Sequence, residues 1–276
     1  MKYVEIHCHT THSNSKTTEC LTTPLQLVKE AKKKGLSAIA ITDHDTMSGY
    51  HAAKSYAKKH GITLIPAMEI DGNQRGQILA YGIKTAIKPG KPPIELIKEV
   101  HAQGGIAIIP HPFDVERRME NVHEVIKHAD GLEGRNYGAV NNWKARRFAK
   151  AKNVKVVTGG SDAHHRSLIG TVVLGVDDSC VTVSDYLTAL KNGEFKVVTT
   201  RGYLEALSIG ILNIFYTRSV GFLWNVFPSK RLAIEIDGVY YLVKVAVRTP
   251  FKLTFTTTKT IYKLPEKSVR WAVRHI

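Results

Sequence analysis

Cysteine is scarce: Cys8, Cys20 and Cys180 are the only three in 276 residues. Thiols so few and so scattered build neither a disulfide framework nor a paired CxxC zinc site, and a reducing, cytoplasmic setting is expected. Acidic side chains are also in short supply. Lys and Arg number 39 against 24 Asp and Glu, a formal net charge of +15 that favours polyanionic partners without selecting one. No charged segment followed by a long apolar run opens the chain. Residues 3–7 read instead as a short strand, so no secretory signal is expected. The apolar fraction of 43% excludes disorder as the overall state.

What is present is unevenly spread. Twelve of the 13 histidines lie at or before His165, whereas 12 of the 22 aromatic residues fall in the last 76 positions. Residues 1–200 carry 27 basic and 20 acidic side chains, while 201–276 carry 12 and 4. The chain reads as a His-rich module over 1–200 followed by a basic, aromatic α+β appendage over 201–276. Between Ala206 and Ser229 the only charged residue is Arg218. At the centre of a membrane span that arginine would cost roughly 2.5–3.5 kcal/mol, so a buried helix or helical hairpin is favoured over peripheral membrane contact by 206–229, and both over a true span. Alternation over 231–247, turning at Asp237-Gly238, predicts a β-hairpin, with further strands at 251–258 and 260–264 and a short C-terminal helix.

The first 200 residues alternate short apolar runs with helix-like segments, the pattern of βα units on a mainly parallel sheet. Strands are predicted at 3–7, 38–42, 63–69, 78–82, 106–110, 131–133, 155–158, 171–176 and 196–199. Helices are predicted at 24–34, 47–60, 92–103, 139–152 and 184–192. Thr23, Pro24 and Gly35 punctuate the first helix as cap, first residue and stop.

Metal-capable side chains sit where strands end. His7 and His9, two apart on a strand, face the same side while Cys8 points away. Asp43-His44-Asp45 follows the run 38–41, Glu69 closes 63–68, His111 follows 106–109, and Ser161-Asp162-Ala163-His164 follows 155–158. In a βα barrel the C-terminal strand ends converge on one rim, so residues distant in sequence meet there. Imidazoles and carboxylates without thiolates suit Zn, Mn or Fe, and their number fits two or three divalent ions better than one.

Five motifs carry a resemblance: His7-Cys8-His9-Thr10, Ile41-Thr42-Asp43-His44-Asp45, Ala67-Met68-Glu69-Ile70, Ile109-Pro110-His111-Pro112 and Gly160-Ser161-Asp162-Ala163-His164. In this order, over residues 1–200, they resemble the polymerase and histidinol phosphatase (PHP) family of metal-dependent phosphoesterases. The resemblance implies a distorted (β/α)7 barrel. It implies as ligands His7, His9, His44, Glu69, His111, Asp162 and His164, with Glu69 bridging two ions and Asp162 also accepting a proton from the attacking water. Arg135, His165 and Arg166 are candidates for phosphate binding, and Asp43 and Asp45 for orienting His44. Asn14 and Gln77 stand where many relatives carry an acidic residue or histidine, and a histidine, respectively. That leaves open two ions or three, and His12 is either a substitute for Asn14 or a solvent-exposed histidine.

Three functions follow as alternatives. The first is hydrolysis of phosphate esters of nucleotides or short oligonucleotides. The second is a small-metabolite phosphatase of the histidinol-phosphate kind. The third is a protein with a decayed metal site whose basic appendage binds nucleic acid or a membrane surface.

Overall fold

The computed structural model describes residues 1–14, 20, 22–73, 75–139 and 141–200. The appendage, the apolar segment 206–229, the hairpin, the later strands and the C-terminal helix lie outside the described residues.

Elements run in the order β1 (Lys2–Cys8), α1 (Pro24–Lys33), β2 (Ala38–Ile41), α2 (Ser48–Lys59), β3 (Thr63–Ile65), β4 (Ala67–Asp71), β5 (Gln77–Tyr81) and α3 (Pro93–Ala102). They continue with β6 (Ile106–Ile109), α4 (Val122–Val125), β7 (Gly131–Asn136), α5 (Asn142–Ala151), β8 (Val156–Gly160), β9 (Val172–Val176), α6 (Val183–Asn192) and β10 (Lys196–Thr199). The first helix forms as its punctuation predicts: Thr23 and Gln26 make a reciprocal capping box, Pro24 is the first helical residue, and Gly35 follows the helix end at φ +69°.

The sheet is mixed rather than mainly parallel. Two five-stranded sheets are present, ordered β10-β9-β1-β2-β3 and β4-β5-β6-β7-β8, and no closed sheet forms among the described residues. The expected single strand 63–69 is broken at Pro66, which has no N–H to give to a ladder; its carbonyl instead accepts the Gly82 N–H at 2.8 Å. So β3 pairs parallel with β2, whereas β4 turns back through a short connection and must pair antiparallel with β5. β9 is antiparallel to β1, and β10 to β9.

The core between strands and helices is apolar and dense, built from Val4, Ile6, Leu79, Tyr81, Ile106 and Ile108 among others. Tyr81 is fully buried and satisfies its hydroxyl by donating to the Ile6 carbonyl at 2.9 Å. Small residues Ala38, Ala40, Ala67 and Ala107 are completely enclosed, which lets the layers approach closely. Two isolated parallel bridges, Cys8 with Ala163 and His44 with Glu69, link the two sheets. Both lie among the residues expected to meet at strand ends.

Candidate metal centre

β1 presents His7 and His9 to one side, and Cys8 to the other, where its Sγ lies 3.2 Å from the Ala40 carbonyl. The loop after β2 supplies His44, the middle of β4 supplies Glu69, the loop after β6 supplies His111, and the turn after β8 supplies Asp162 and His164. All seven are buried, with His7, His9 and Glu69 wholly so. Asp45, His111 and Asp162 are held at positive φ (56°, 28° and 50°), a local strain that the surrounding hydrogen bonds sustain.

The seven converge. Glu69 Oε2 lies 3.4 Å from His7 Nε2, 3.3 Å from His9 Nε2 and 3.5 Å from His44 Nε2, and Glu69 Oε1 lies 3.4 Å from His111 Nε2. Asp162 Oδ1 lies 3.4 Å from His7 Nε2 and 3.2 Å from His9 Nε2. The ring of His9 stacks between His44 and His164 at 4.7 and 4.4 Å. His7 Nε2, His9 Nε2, both Glu69 oxygens, both His111 ring nitrogens and Asp162 Oδ1 are buried without a hydrogen-bond partner. Polar atoms left so are costly unless a cation takes them. Four donors around one ion at bonds of about 2.0–2.2 Å stand about 3.3–3.6 Å apart, the spacing found here. Three overlapping triads satisfy the reach of a metal ion: His9-His44-His164, His7-His9-Glu69 and His7-His111-Asp162.

The charges agree with a cationic occupant. Burial opposes ionisation of Glu69 and Asp162, yet His44 and His7 beside the first, and Arg117 and His7 beside the second, hold both carboxyls well below the usual range. Burial, His164 and His44 push His9 down to about 3 against the pull of Asp162, so its imidazole is neutral and ready to ligate. His7 is the opposite case: burial pushes it down, but Glu133, Asp162 and Glu69 outweigh burial and raise it well above its ordinary 6.5. In metal-free protein the His7 proton therefore stabilises the fold below pH 6.5, and that contribution is lost as pH rises through the raised value. His9 contributes stability above 6.5 that is lost as pH falls toward 3, because the unfolded chain then binds a proton the fold refuses. Loading with Zn²⁺ or Mn²⁺ is expected to expel the His7 proton, so affinity should climb with pH and level off above that raised value. Titration calorimetry in two buffers of different ionisation enthalpy reads the released proton; affinity independent of both pH and buffer would exclude this account.

Several supporting residues escaped sequence reasoning. Glu133, fully buried on β7, accepts from His7 Nδ1 at 2.9 Å, from the His111 N–H at 3.1 Å and from Asn136 Nδ2 at 2.9 Å. It thereby aims the other ring nitrogen of His7 into the cluster. Asn136 reaches Asp162 Oδ2 at 3.3 Å, and Arg117 Nη1 donates to the same oxygen at 2.8 Å. Glu5, buried beneath the site, accepts the N–H groups of His7, Ser161 and Gly170, tying β1 to the segments after β8. Glu133 did carry a signal, because it ends the predicted strand 131–133 as the ligands end theirs. Arg117 lies in an aperiodic loop and carried none. Replacing Glu133 with Gln is expected to weaken metal binding about 10–100-fold and to lower the pKa of His7, read by NMR titration of metal-free protein. An unchanged His7 titration would show that the contact does not orient the ring.

Other expectations fare differently. The Asp43 carboxylate accepts from the backbone and hydroxyl of Thr10, and so braces the loop after β1 rather than the His44 ring. Asp45 accepts the Asp71 N–H at 2.8 Å. The carboxylate against His44 Nδ1 is Asp71, at 3.4 Å, and Gln77 Nε2 donates to it at 2.8 Å. Asn14 is exposed and its N–H donates to the His44 carbonyl at 2.9 Å. His12 is exposed with its Nδ1 3.1 Å from Ser48 Oγ. Arg135 is half-buried on β7, and its side chain makes no hydrogen bond or ion pair among the described residues; the guanidinium beside the cluster is that of Arg117. His165 is buried with Nδ1 2.7 Å from Ser167 Oγ, and the Arg166 N–H donates to Thr22 Oγ1 at 2.9 Å.

An α/β fold that gathers buried imidazoles and carboxylates in this way has a site able to hold metal ions. The chain belongs to the PHP domain family, whose model matches residues 5–158, and residues 140–195 match the PHP-associated model. It is 34% identical over 115 residues to the uncharacterized protein MJ1587 of Methanocaldococcus jannaschii, covering 40% of this chain and 67% of that protein. It is 37% identical over 76 residues to a 5'-3' exoribonuclease of Haemophilus influenzae, covering 28% of this chain and 26% of the relative. Against the PolC-type DNA polymerase III of Bacillus subtilis it is 41% identical over 80 residues, 29% of this chain and 5% of the polymerase. Among solved structures, PsfC from Pseudomonas syringae shares the fold at TM-score 0.60 and 17% identity, over 79% of this chain and 98% of that one. A two-domain protein from Bacteroides vulgatus containing a predicted PHP-like metal-dependent phosphoesterase does so at 0.58 and 19%, over 76% and 69%. No helix of the described residues is long and apolar enough to cross a membrane.

Proposed function

We propose that the chain is a metal-dependent phosphoesterase that hydrolyses phosphate esters of nucleotides or short oligonucleotides. The observation that carries this reading is the set of buried, unpartnered donor atoms of His7, His9, Glu69, His111 and Asp162, all facing one another. With His44 and His164 they would hold two or three divalent ions, Zn, Mn or Fe. When bound, such ions lower the pKa of water toward neutrality and neutralise charge on a phosphate ester.

The remaining roles fall to the chain itself. Glu69, with both oxygens facing imidazoles, would serve as the carboxylate shared between ions. Asp162 is clamped at Oδ2 by Arg117 and Asn136, which leaves Oδ1 for ligation and for accepting a hydrogen bond from the attacking water. Its depressed pKa makes it a standing anion that orients this water more than it stores the proton. A cleft of 330 Å³ opens beside the cluster, lined by Asp71, Asn73, Arg75, Gln77, Glu116 and Arg117. Its two guanidiniums are placed to bind phosphate oxygens. Support for nucleotide substrates comes from relatives named as an exoribonuclease and DNA polymerases, and from a fold likeness at TM-score 0.50 to endonuclease Q, solved with a duplex bearing an abasic lesion.

The two sheets, linked by two isolated bridges, are read as the halves of a distorted barrel. Residues 1–200 are then the phosphoesterase module and 201–276 its basic appendage. Three buried free thiols support a reducing, cytoplasmic setting. The decisive test is metal analysis of purified protein coupled to Mn-supplemented hydrolysis of a generic phosphomonoester and diester, with His9→Ala as control. Two or more ions per chain and hydrolysis lost in the variant are expected; protein without ions or hydrolysis would overturn the reading.

A further inference from the structure

α5 carries four basic side chains and no acidic one, one cation more than the likewise acid-free α2. From Tyr137 to Ser161 the chain has no acidic residue and six basic ones: Lys144, Arg146, Arg147, Lys150, Lys152 and Lys155. Ala145, Phe148 and Ala149 bury the inner face, so Trp143, Arg147 and Lys150 share the outer face, with Lys144 at its border. Lys144, Arg147 and Lys150 are exposed and form no ion pair among the described residues. Trp143 is 54% exposed, an unusual position for an indole, with the Lys144 ammonium 5.6 Å from its ring.

The N-terminus of α5 is tied to the metal centre by hydrogen bonds. Asn142, the first residue of α5, accepts the Asn136 N–H at 2.6 Å and donates to the Asn136 carbonyl at 2.8 Å. Asn136 in turn touches Asp162. From there Lys144 to Lys150 extends about 9 Å along the helix axis. A planar aromatic surface flanked by cations, leading away from a phosphoesterase centre, matches the needs of an unpaired strand: bases stack on the ring and phosphates meet the cations.

We propose that the outer face of α5 is a track for the single-stranded stretch of an oligonucleotide beyond the phosphate held at the metal centre. The proposal rests on the phosphoesterase reading, and the test separates the two. Metal-loaded full-length protein is titrated into a labelled phosphorothioate single strand of about twelve nucleotides, with anisotropy followed across salt concentrations. The triple variant Lys144→Glu/Arg147→Glu/Lys150→Glu is expected to bind at least about tenfold more weakly, with a salt slope smaller by about two. Trp143→Ala should lose about fivefold or more through stacking alone. Lys29→Glu/Lys32→Glu/Lys33→Glu on exposed α1 positions makes the same charge change and should stay within about twofold of wild type. Equal losses in both triples, or none in the α5 triple, would overturn the track. Protein that cleaves a phosphomonoester but binds no strand would refute the track and leave the phosphoesterase. Protein that binds through α5 and cleaves nothing would do the reverse.

Discussion

Glu69→Gln is expected to lower hydrolysis by about 10³-fold or more and to strip the purified protein of its ions. The side chain is wholly buried in the middle of β4, with four imidazoles, those of His7, His9, His44 and His111, within 3.5 Å of its two oxygens. An amide keeps the shape, so the strand and its pairing with β5 should persist. It removes the negative charge, however, and turns an N–H pair toward ring nitrogens that must themselves be acceptors to ligate. Amides are also weak ligands for borderline metals. Metal content measured beside far-UV circular dichroism distinguishes loss of the centre from loss of the fold. In the metal-free variant His7 should also titrate lower, because one of the three carboxylates that raise it has gone. A variant that keeps wild-type ion content and rate would mean that Glu69 is not part of the centre.

The two halves of the site were unequally visible in the sequence. Apart from Glu69 in the middle of β4, residues donating to the cluster stand at or just beyond strand ends, and strand ends are what period and punctuation locate; Ile106 to Ile109 followed by His111 is the simplest case. The residues that hold the ligands in place depend on tertiary geometry. Asp71 rather than Asp43 or Asp45 meets His44, because β4 departs from β3 at Pro66 and carries Asp71 across to the loop after β2. The same departure turned an expected parallel strand into an antiparallel hairpin, so the sheet order was less legible than the elements in it. Arg117 illustrates the limit. Its loop has neither period nor motif, and its role is set by one 2.8 Å contact with Asp162, 45 residues away. Arg135 had the better sequence position, at the end of a strand, but the irregular register between Glu133 and Arg135 separates its side chain from that of Glu133.

Gly160→Ala should damage the centre without touching a ligand. Gly160 ends β8 and its φ is ordinary, so the glycine serves close approach rather than an unusual backbone. A Cβ built there would stand 2.4 Å from His7 Cβ and 2.7 Å from Glu133 Oε1, and the His7 Cα is only 3.4 Å away. No rotation of a flexible tip relieves a clash with Cβ on β1, so β1 and β8 must separate. Separation breaks the 2.9 Å contact that fixes His7 and disturbs the Ser161 hydrogen bonds to Glu5 and to the His7 carbonyl. The expected cost is about 1–3 kcal/mol of stability and about 10–100-fold in metal affinity. Gly159 is the internal control, since its added Cβ would meet Val197 and Val172 side chains and the Arg135 carbonyl on the opposite face of β8. Gly159→Ala should destabilise the fold comparably, measured by denaturant titration, yet retain its ions, measured by metal analysis. Equal metal loss in the two variants would show that general destabilisation, rather than displacement of His7, empties the centre.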